Sequence, residues 1–204
     1  MRVDMNRYEK ITIKKIGKDG FDLLAKPDGE HATIKAPDFL FGNRSNYHFL
    51  GEAKVVTKMP RKESAITDGD KILGFCLDSS VVVDSVLSDV SQKRLSIIKV
   101  HPEYEHLPYI FFLYNSFWLW DRLGFADADL YKKYPYISGT FYYKGTDPNS
   151  SEWKGLNVKD LEAYIKKRAH ILPYRKKFIW EVFVNKGAYN PIDLSWFSDV
   201  TIVN

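Results

Sequence analysis

Asp38, Glu52 and Lys54 are the residues of this chain whose types and spacing suit a chemical task. Ala36-Pro37-Asp38 runs into Phe39-Leu40-Phe41, and Glu52-Ala53-Lys54 follows, with thirteen residues between Asp38 and Glu52. Both halves sit in apolar, strand-like surroundings, where a charged side chain needs a partner or a role. Alternate residues of a strand share a face, so Glu52 and Lys54 point one way and Ala53 the other. An Asp38 placed opposite them gathers two carboxylates and an ammonium in one small volume. Two hard oxygen anions suit Mg²⁺, which takes one or two carboxylates and fills its octahedron with water and substrate phosphate. Such an ion lowers the pKa of a bound water and offsets charge on phosphoryl oxygens. The lysine orients that water or stabilises the transition state. A plainer reading of the same residues is a Glu52–Lys54 surface pair beside a strand-end Asp38.

Other chemistry-bearing residues give weaker patterns. His31, His48, His101, His106 and His170 lack the spacing of a zinc-binding helix. Each reads first as a surface or core histidine, and for His48, four residues from Glu52, a place near the site is the second reading. A metal-independent ribonuclease-like chemistry would look to His31 or His48. Cys76 lies between Phe75 and Leu77, as a buried, inert thiol does. A single cysteine excludes a disulfide framework and a multi-cysteine zinc site. No Gly-rich phosphate loop and no Gly-x-Ser-x-Gly elbow occurs. Two basic stretches suit a phosphate backbone: Lys58, Arg61 and Lys62 just after the acid-x-lysine run, and Lys166, Lys167, Arg168, Arg175, Lys176 and Lys177 around Pro173. Interleaved Tyr164, Tyr174 and Trp180 add stacking surfaces. The bland alternative for both is a solvated face.

The elements that must position these residues follow from apolar periodicity. Arg7 to Ile16 fits a helix face and a strand equally well, and Gly17-Lys18-Asp19-Gly20 ends it. Phe21 to Ala25 reads as a strand, Lys26-Pro27-Asp28-Gly29-Glu30 as a turn. Ala32 to Phe41 reads as extended, and Tyr47 to Thr57 as a third strand of a meander. Lys58 to Gly74 is polar without a period and reads as a loop. A helix starts at Ser79 or Ser80 and runs to Val100 on Val83, Val86, Leu87, Val90 and Ile97 or Ile98. Tyr109 to Tyr114 reads as a fully buried strand. Val158 to Ala169 reads as a basic helix, and Phe178 to Val184 as a strand.

The chain has 204 residues, 45% hydrophobic, 15% aromatic and 27% charged, the balance of a core-forming protein. Its longest apolar run is far below the roughly 20 residues that span a bilayer, and Met1 to Arg7 leads into no signal region. The expectation is a cytoplasmic protein without a membrane partner. A net charge of +4 leaves partners to local patches. We expect residues 1–118 to form the core and 119–204 an aromatic-rich elaboration packing on the same domain. Exposed aromatic surface after Trp118 would suit a homodimer.

The motif and the order helix, three strands, helix, strand resemble the PD-(D/E)xK nuclease superfamily over roughly residues 7 to 115. The resemblance implies an α/β (α+β) restriction-endonuclease-like fold, with a mixed central sheet flanked by helices. It implies Asp38 and Glu52 as metal ligands, the Ala53 carbonyl completing the inner shell, and Lys54 as the catalytic lysine. Many members add an acid from the first helix, for which Glu9 is the candidate. Some carry a glutamine on the later helix, where Gln92 stands. The implied activity is hydrolysis of phosphodiester bonds in DNA, less readily RNA, with Mg²⁺ or Mn²⁺. The alternative is a non-catalytic nucleic-acid-binding or protein-interaction module on a similar fold.

Overall fold

The structure is a computed structural model that describes residues 5–30, 33–43, 46–56, 65–75, 80–115, 128–144, 155–168 and 180–203. The ambiguous first segment is a helix, α1 (Arg7–Lys18). Its start explains why: the Asn6 carboxamide oxygen accepts from the Tyr8 and Glu9 N–H groups at 2.9 and 3.0 Å. Asn6 Nδ2 in turn donates to Glu9 Oε1 at 2.5 Å, so cap and third residue satisfy each other. Next come β1 (Asp22–Ala25), the single turn α2 (Pro27–Glu30), β2 (Phe39–Asn43) and β3 (Asn46–Val56). The extended stretch expected from Ala32 is a strand only from Phe39.

β1, β2 and β3 form the expected antiparallel meander. The chain then adds a hairpin, β4 (Ala65–Asp68) and β5 (Lys71–Phe75), where a loop was expected. Its tight connection places Gly69 at φ +59°, in the left-handed region that glycine tolerates. Ile66 and Leu73 remain exposed, because this two-stranded sheet stands apart from the main one. Among its described residues Ile72 is buried, between exposed Lys71 and Leu73, and one such residue is too little to show as alternation in the sequence.

α3 (Ser80–Val100) and β6 (Tyr109–Asn115) match the sequence reading. α4 (Ala128–Tyr131), β7 (Gly139–Lys144), α5 (Val158–Arg168), β8 (Trp180–Val184) and β9 (Val200–Ile202) follow. The main sheet runs β1-β2-β3-β6-β7-β8-β9. β6 is parallel to both β3 and β7, β8 is antiparallel to β7, and β9 is parallel to β8. The fold is therefore mixed α/β, with a seven-stranded mixed sheet.

A core lies on each side of this sheet. On one face Val83, Leu87, Val90 and Ile97 of α3 pack on Leu50, Tyr109, Phe111 and Leu113. On the other, Tyr8 and Ile16 of α1 join Phe39, Phe49, Phe112, Phe141 and Trp180. Covered on both sides, β6 reads as one continuous apolar run. Gly51 has a local cause: a Cβ there would stand 2.8 Å from a ring carbon of Phe112. Among the described residues no helix is long and apolar enough to cross a membrane.

Candidate active site

Phe39 pairs with Gly51 across β2 and β3, so Asp38, one residue earlier, stands beside Glu52. A backbone bond holds it there: the Ala53 N–H donates to Asp38 Oδ2 at 2.8 Å. Glu52 is 1% exposed and Asp38 7%. Both acids meet a residue that the sequence reading did not single out. Lys93 of α3 donates from Nζ to Glu52 Oε1 at 2.6 Å and stands 3.7 Å from Asp38 Oδ1. Glu52 Oε2 is buried and has no hydrogen-bond partner among the described residues.

Lys54 joins this group from its edge. Its Nζ is 4.0 Å from Glu52 Oε1 and donates to Asp89 of α3. Asp89 also accepts from Lys35 at 3.0 Å. Asp89 and Lys93 are one helical turn apart, so they project together from α3 toward β3. The result is a row of alternating charge: Lys35, Asp89, Lys54, Glu52, Lys93, Asp38.

Burial dominates the electrostatics. It pushes the Glu52 carboxyl up, reinforced by the Asp38 charge and opposed by Lys93 and Lys54, to about 8. Burial likewise raises Asp38, against the pull of Lys93 and the Ala53 N–H. Burial disfavours the charged form of Lys93, but Glu52 and Asp38 outweigh it and its ammonium holds its proton more tightly than an ordinary lysine. At Asp89 burial opposes ionisation, and Lys54 and Lys35 more than offset it. Behind the acids, the Tyr109 hydroxyl is buried without a hydrogen-bond partner among the described residues. Burial, then the Glu52 and Asp38 charges, keep it protonated.

Glu9 is on a helix, as the resemblance requires, and is buried. Its Oε2 accepts from Lys26 and its Oε1 from Asn6, so both oxygens are engaged inside the protein. Its charge still reaches Asp38. Among the described residues no group of three or more His, Cys, Asp and Glu side chains is placed to hold a metal ion. The donors at hand are therefore the Asp38 and Glu52 carboxylates, with the Ala53 carbonyl as a backbone supplement. Such a set suits an ion that keeps several waters, as Mg²⁺ does. The orphaned Glu52 Oε2 and the cation already seated between the acids both fit that use.

His48 lies on the other side of the sheet, despite its spacing from Glu52. The β2–β3 register slips between Phe41 and Gly42, leaving His48 as the extra residue of a bulge. Its ring packs against Phe21 and Trp196 beside the α1-facing core. Gln92 is exposed, one position from Lys93 but a hundred degrees around the helix. His31, Cys76, Lys58, Arg61, Lys62, Arg175, Lys176 and Lys177 lie outside the described residues, as do the side chains of Lys166, Lys167 and Arg168. The signal for Lys93 and Asp89 was available: four apart, they flank the buried face of Val83, Leu87, Val90 and Ile97.

In comparisons with known proteins, no protein family, no curated protein and no solved structure matches this chain.

Proposed function

We propose that this chain is a metal-dependent nuclease of PD-(D/E)xK type, hydrolysing phosphodiester bonds of DNA, and of RNA less readily, with a water activated by Mg²⁺ or Mn²⁺. The observation that carries this reading is the meeting of Asp38 and Glu52 on one cation position while Glu52 Oε2 is buried and has no partner among the described residues. The order α1, β1, β2, β3, α3, β6, with β3 beside β6, supports a restriction-endonuclease-like core. The β4–β5 hairpin is then an insertion between β3 and α3.

Asp38 and Glu52, with the Ala53 carbonyl, would hold the ion. When bound, the ion supplies Lewis acidity toward the phosphate and the attacking water. The Ala53 N–H fixes Asp38 in place, and β3 presents Glu52 and Lys54 on one face. Lys54, 27% exposed at its side chain, borders both the acids and solvent. From there its ammonium orients the water and offsets charge on the transferred phosphoryl group. The basic residues from Lys58 to Lys62 and from Lys166 to Lys177 would carry the nucleic acid backbone.

A second reading has its own observation. Lys93 contacts both acids, and Lys54 and Lys35 close on Asp89, so every charge of the row has a partner. A non-catalytic nucleic-acid-binding or protein-interaction module would keep it so. Incubating plasmid and RNA with the protein in Mg²⁺, Mn²⁺ or EDTA separates the two. Cleavage that EDTA abolishes, and that falls at least about 100-fold in Lys54→Ala or Asp38→Asn, is the expected result. Cleavage indifferent to EDTA and to Lys54→Ala rejects the mechanism. Binding without cleavage under every metal selects the second reading.

A further inference from the structure

We infer that Lys93 is the resident cation of the carboxylate site and that a divalent ion enters by displacing its ammonium from between Asp38 and Glu52. This rests on the reading of Asp38 and Glu52 as metal ligands and adds how the ion is loaded.

The geometry places the ammonium where one oxygen of each acid converges. Lys93 Nζ lies 2.6 Å from Glu52 Oε1 and 3.7 Å from Asp38 Oδ1. Mg²⁺ bonds oxygen at about 2.0–2.1 Å. An ion held by these two oxygens therefore claims the volume that Nζ fills. Lys54 does not compete for that place, being farther from Glu52 and committed to Asp89.

Charge explains why exchange is favoured over permanent pairing. With both acids ionised, two buried carboxylates face one ammonium, and the pocket lacks one positive charge for balance. A divalent ion removes that deficit. With the ammonium still nearby the site turns net positive, which suits an arriving phosphodiester. The cluster at Lys26 differs in exposure: both Glu9 oxygens are engaged, by Lys26 and Asn6, and the second acid, Asp28 at 3.9 Å from the ammonium, is 34% exposed at its side chain, so solvent screens its charge.

Lys93 is also able to leave. Its side chain is 19% exposed, so solvent lies at one side of it. A lysine stem turns about four bonds and its ammonium is a compact point charge. Asp89, one turn earlier on α3, offers the displaced ammonium a carboxylate within helical reach.

The test measures binding of Mn²⁺ alone by calorimetry and by its paramagnetic resonance signal, on the full chain. Lys93→Met keeps the stem without the charge and is expected to tighten Mn²⁺ binding at least about 10-fold. Metal-free, it should melt below the wild type, and Mn²⁺ should raise its melting temperature by more. Lys93→Arg keeps the charge and places a rigid fork on both acids. It is expected to bind Mn²⁺ at least about 10-fold more weakly than the wild type, and it serves if Lys93→Met does not fold. Lys93→Met binding Mn²⁺ no more tightly than wild type, or Lys93→Arg binding it equally well, overturns the displacement. Tighter binding in Lys93→Met from a wild type that cleaves nothing upholds the displacement and removes the nuclease reading. EDTA-sensitive cleavage by a wild type whose Mn²⁺ affinity Lys93→Met leaves unchanged does the reverse. No Mn²⁺ binding by any of the three proteins overturns both.

Discussion

The two faces of β3 and β6 use the same backbone for opposite ends. Toward α1, Phe49, Ala53, Ile110, Phe112 and Tyr114 meet a continuous aromatic layer that includes Phe141 and Trp180. The polar atom of Tyr114 is matched there, its hydroxyl lying 2.7 Å from the Thr12 hydroxyl. Toward α3, the apolar part of the face ends at Glu52, and three buried groups in that layer, Glu52, Tyr109 and Arg94, keep polar atoms without partners among the described residues. One face is aromatic, with His48 Nε2 an unmatched ring nitrogen among the described residues, while the other carries unmet charge and hydrogen-bonding capacity around two acids. Native proteins leave few buried polar groups unsatisfied, so the α3 face is where an incoming ligand has the most to gain.

That contrast can be broken in several places. On the aromatic face Phe112→Ala should cost about 3–5 kcal/mol of stability, read from the denaturant midpoint, while Mn²⁺ affinity at the folded site stays within about two-fold. A large change in metal affinity would mean that the faces are not separable. Lys26→Met strands the buried Glu9 carboxylate and should cost about 3 kcal/mol. Glu9→Gln added to Lys26→Met should recover most of that loss, and a double variant no better than the single one argues against a simple closed pair.

The next effect depends on pH and belongs to the open face. Glu52 titrates near 4.5 in the unfolded chain and about 8 in the folded one. The folded state thus binds its proton more tightly. The stabilisation this gives is complete below about 4.5 and is lost as pH rises through about 8. In metal-free buffer the wild type should lose several degrees of melting temperature between pH 5 and pH 8.5. Glu52→Gln has no such proton to lose and should show a shallower decline. Equal declines would place the titrating group elsewhere. The smallest effect is expected at Lys132, whose ion pair with Asp129 is fully exposed. Lys132→Ala should leave the melting temperature unchanged.

The parts of this fold whose burial follows one rule along their length were readable from residue order. α3 carries its apolar stripe at Val83, Leu87, Val90 and Ile97, and β6 is a continuous apolar run, because each has a single environment along its length. The β4–β5 hairpin was missed because its strands are short and the burial of Ile72 between exposed Lys71 and Leu73 is too brief to imprint a pattern. The side that His48 faces was not readable, because a bulge turns a residue over without leaving a mark in the sequence. Lys93 was passed over for Gln92, its neighbour along the chain, although the two sit far apart around the helix.

The residue order by itself determined which segments are helix and strand where burial is one-sided, and that Glu52 and Lys54 share a face. These are consequences of local periodicity. Only the tertiary structure decided that Asp38 comes to Glu52 through a backbone bond from Ala53, that Lys26 takes up Glu9, and that an ammonium from a helix forty-one residues away sits between the two acids. Those meetings depend on register and on which helix covers which face. A pairwise ion contact over such a distance leaves no period in the sequence, so it is set when the layers pack.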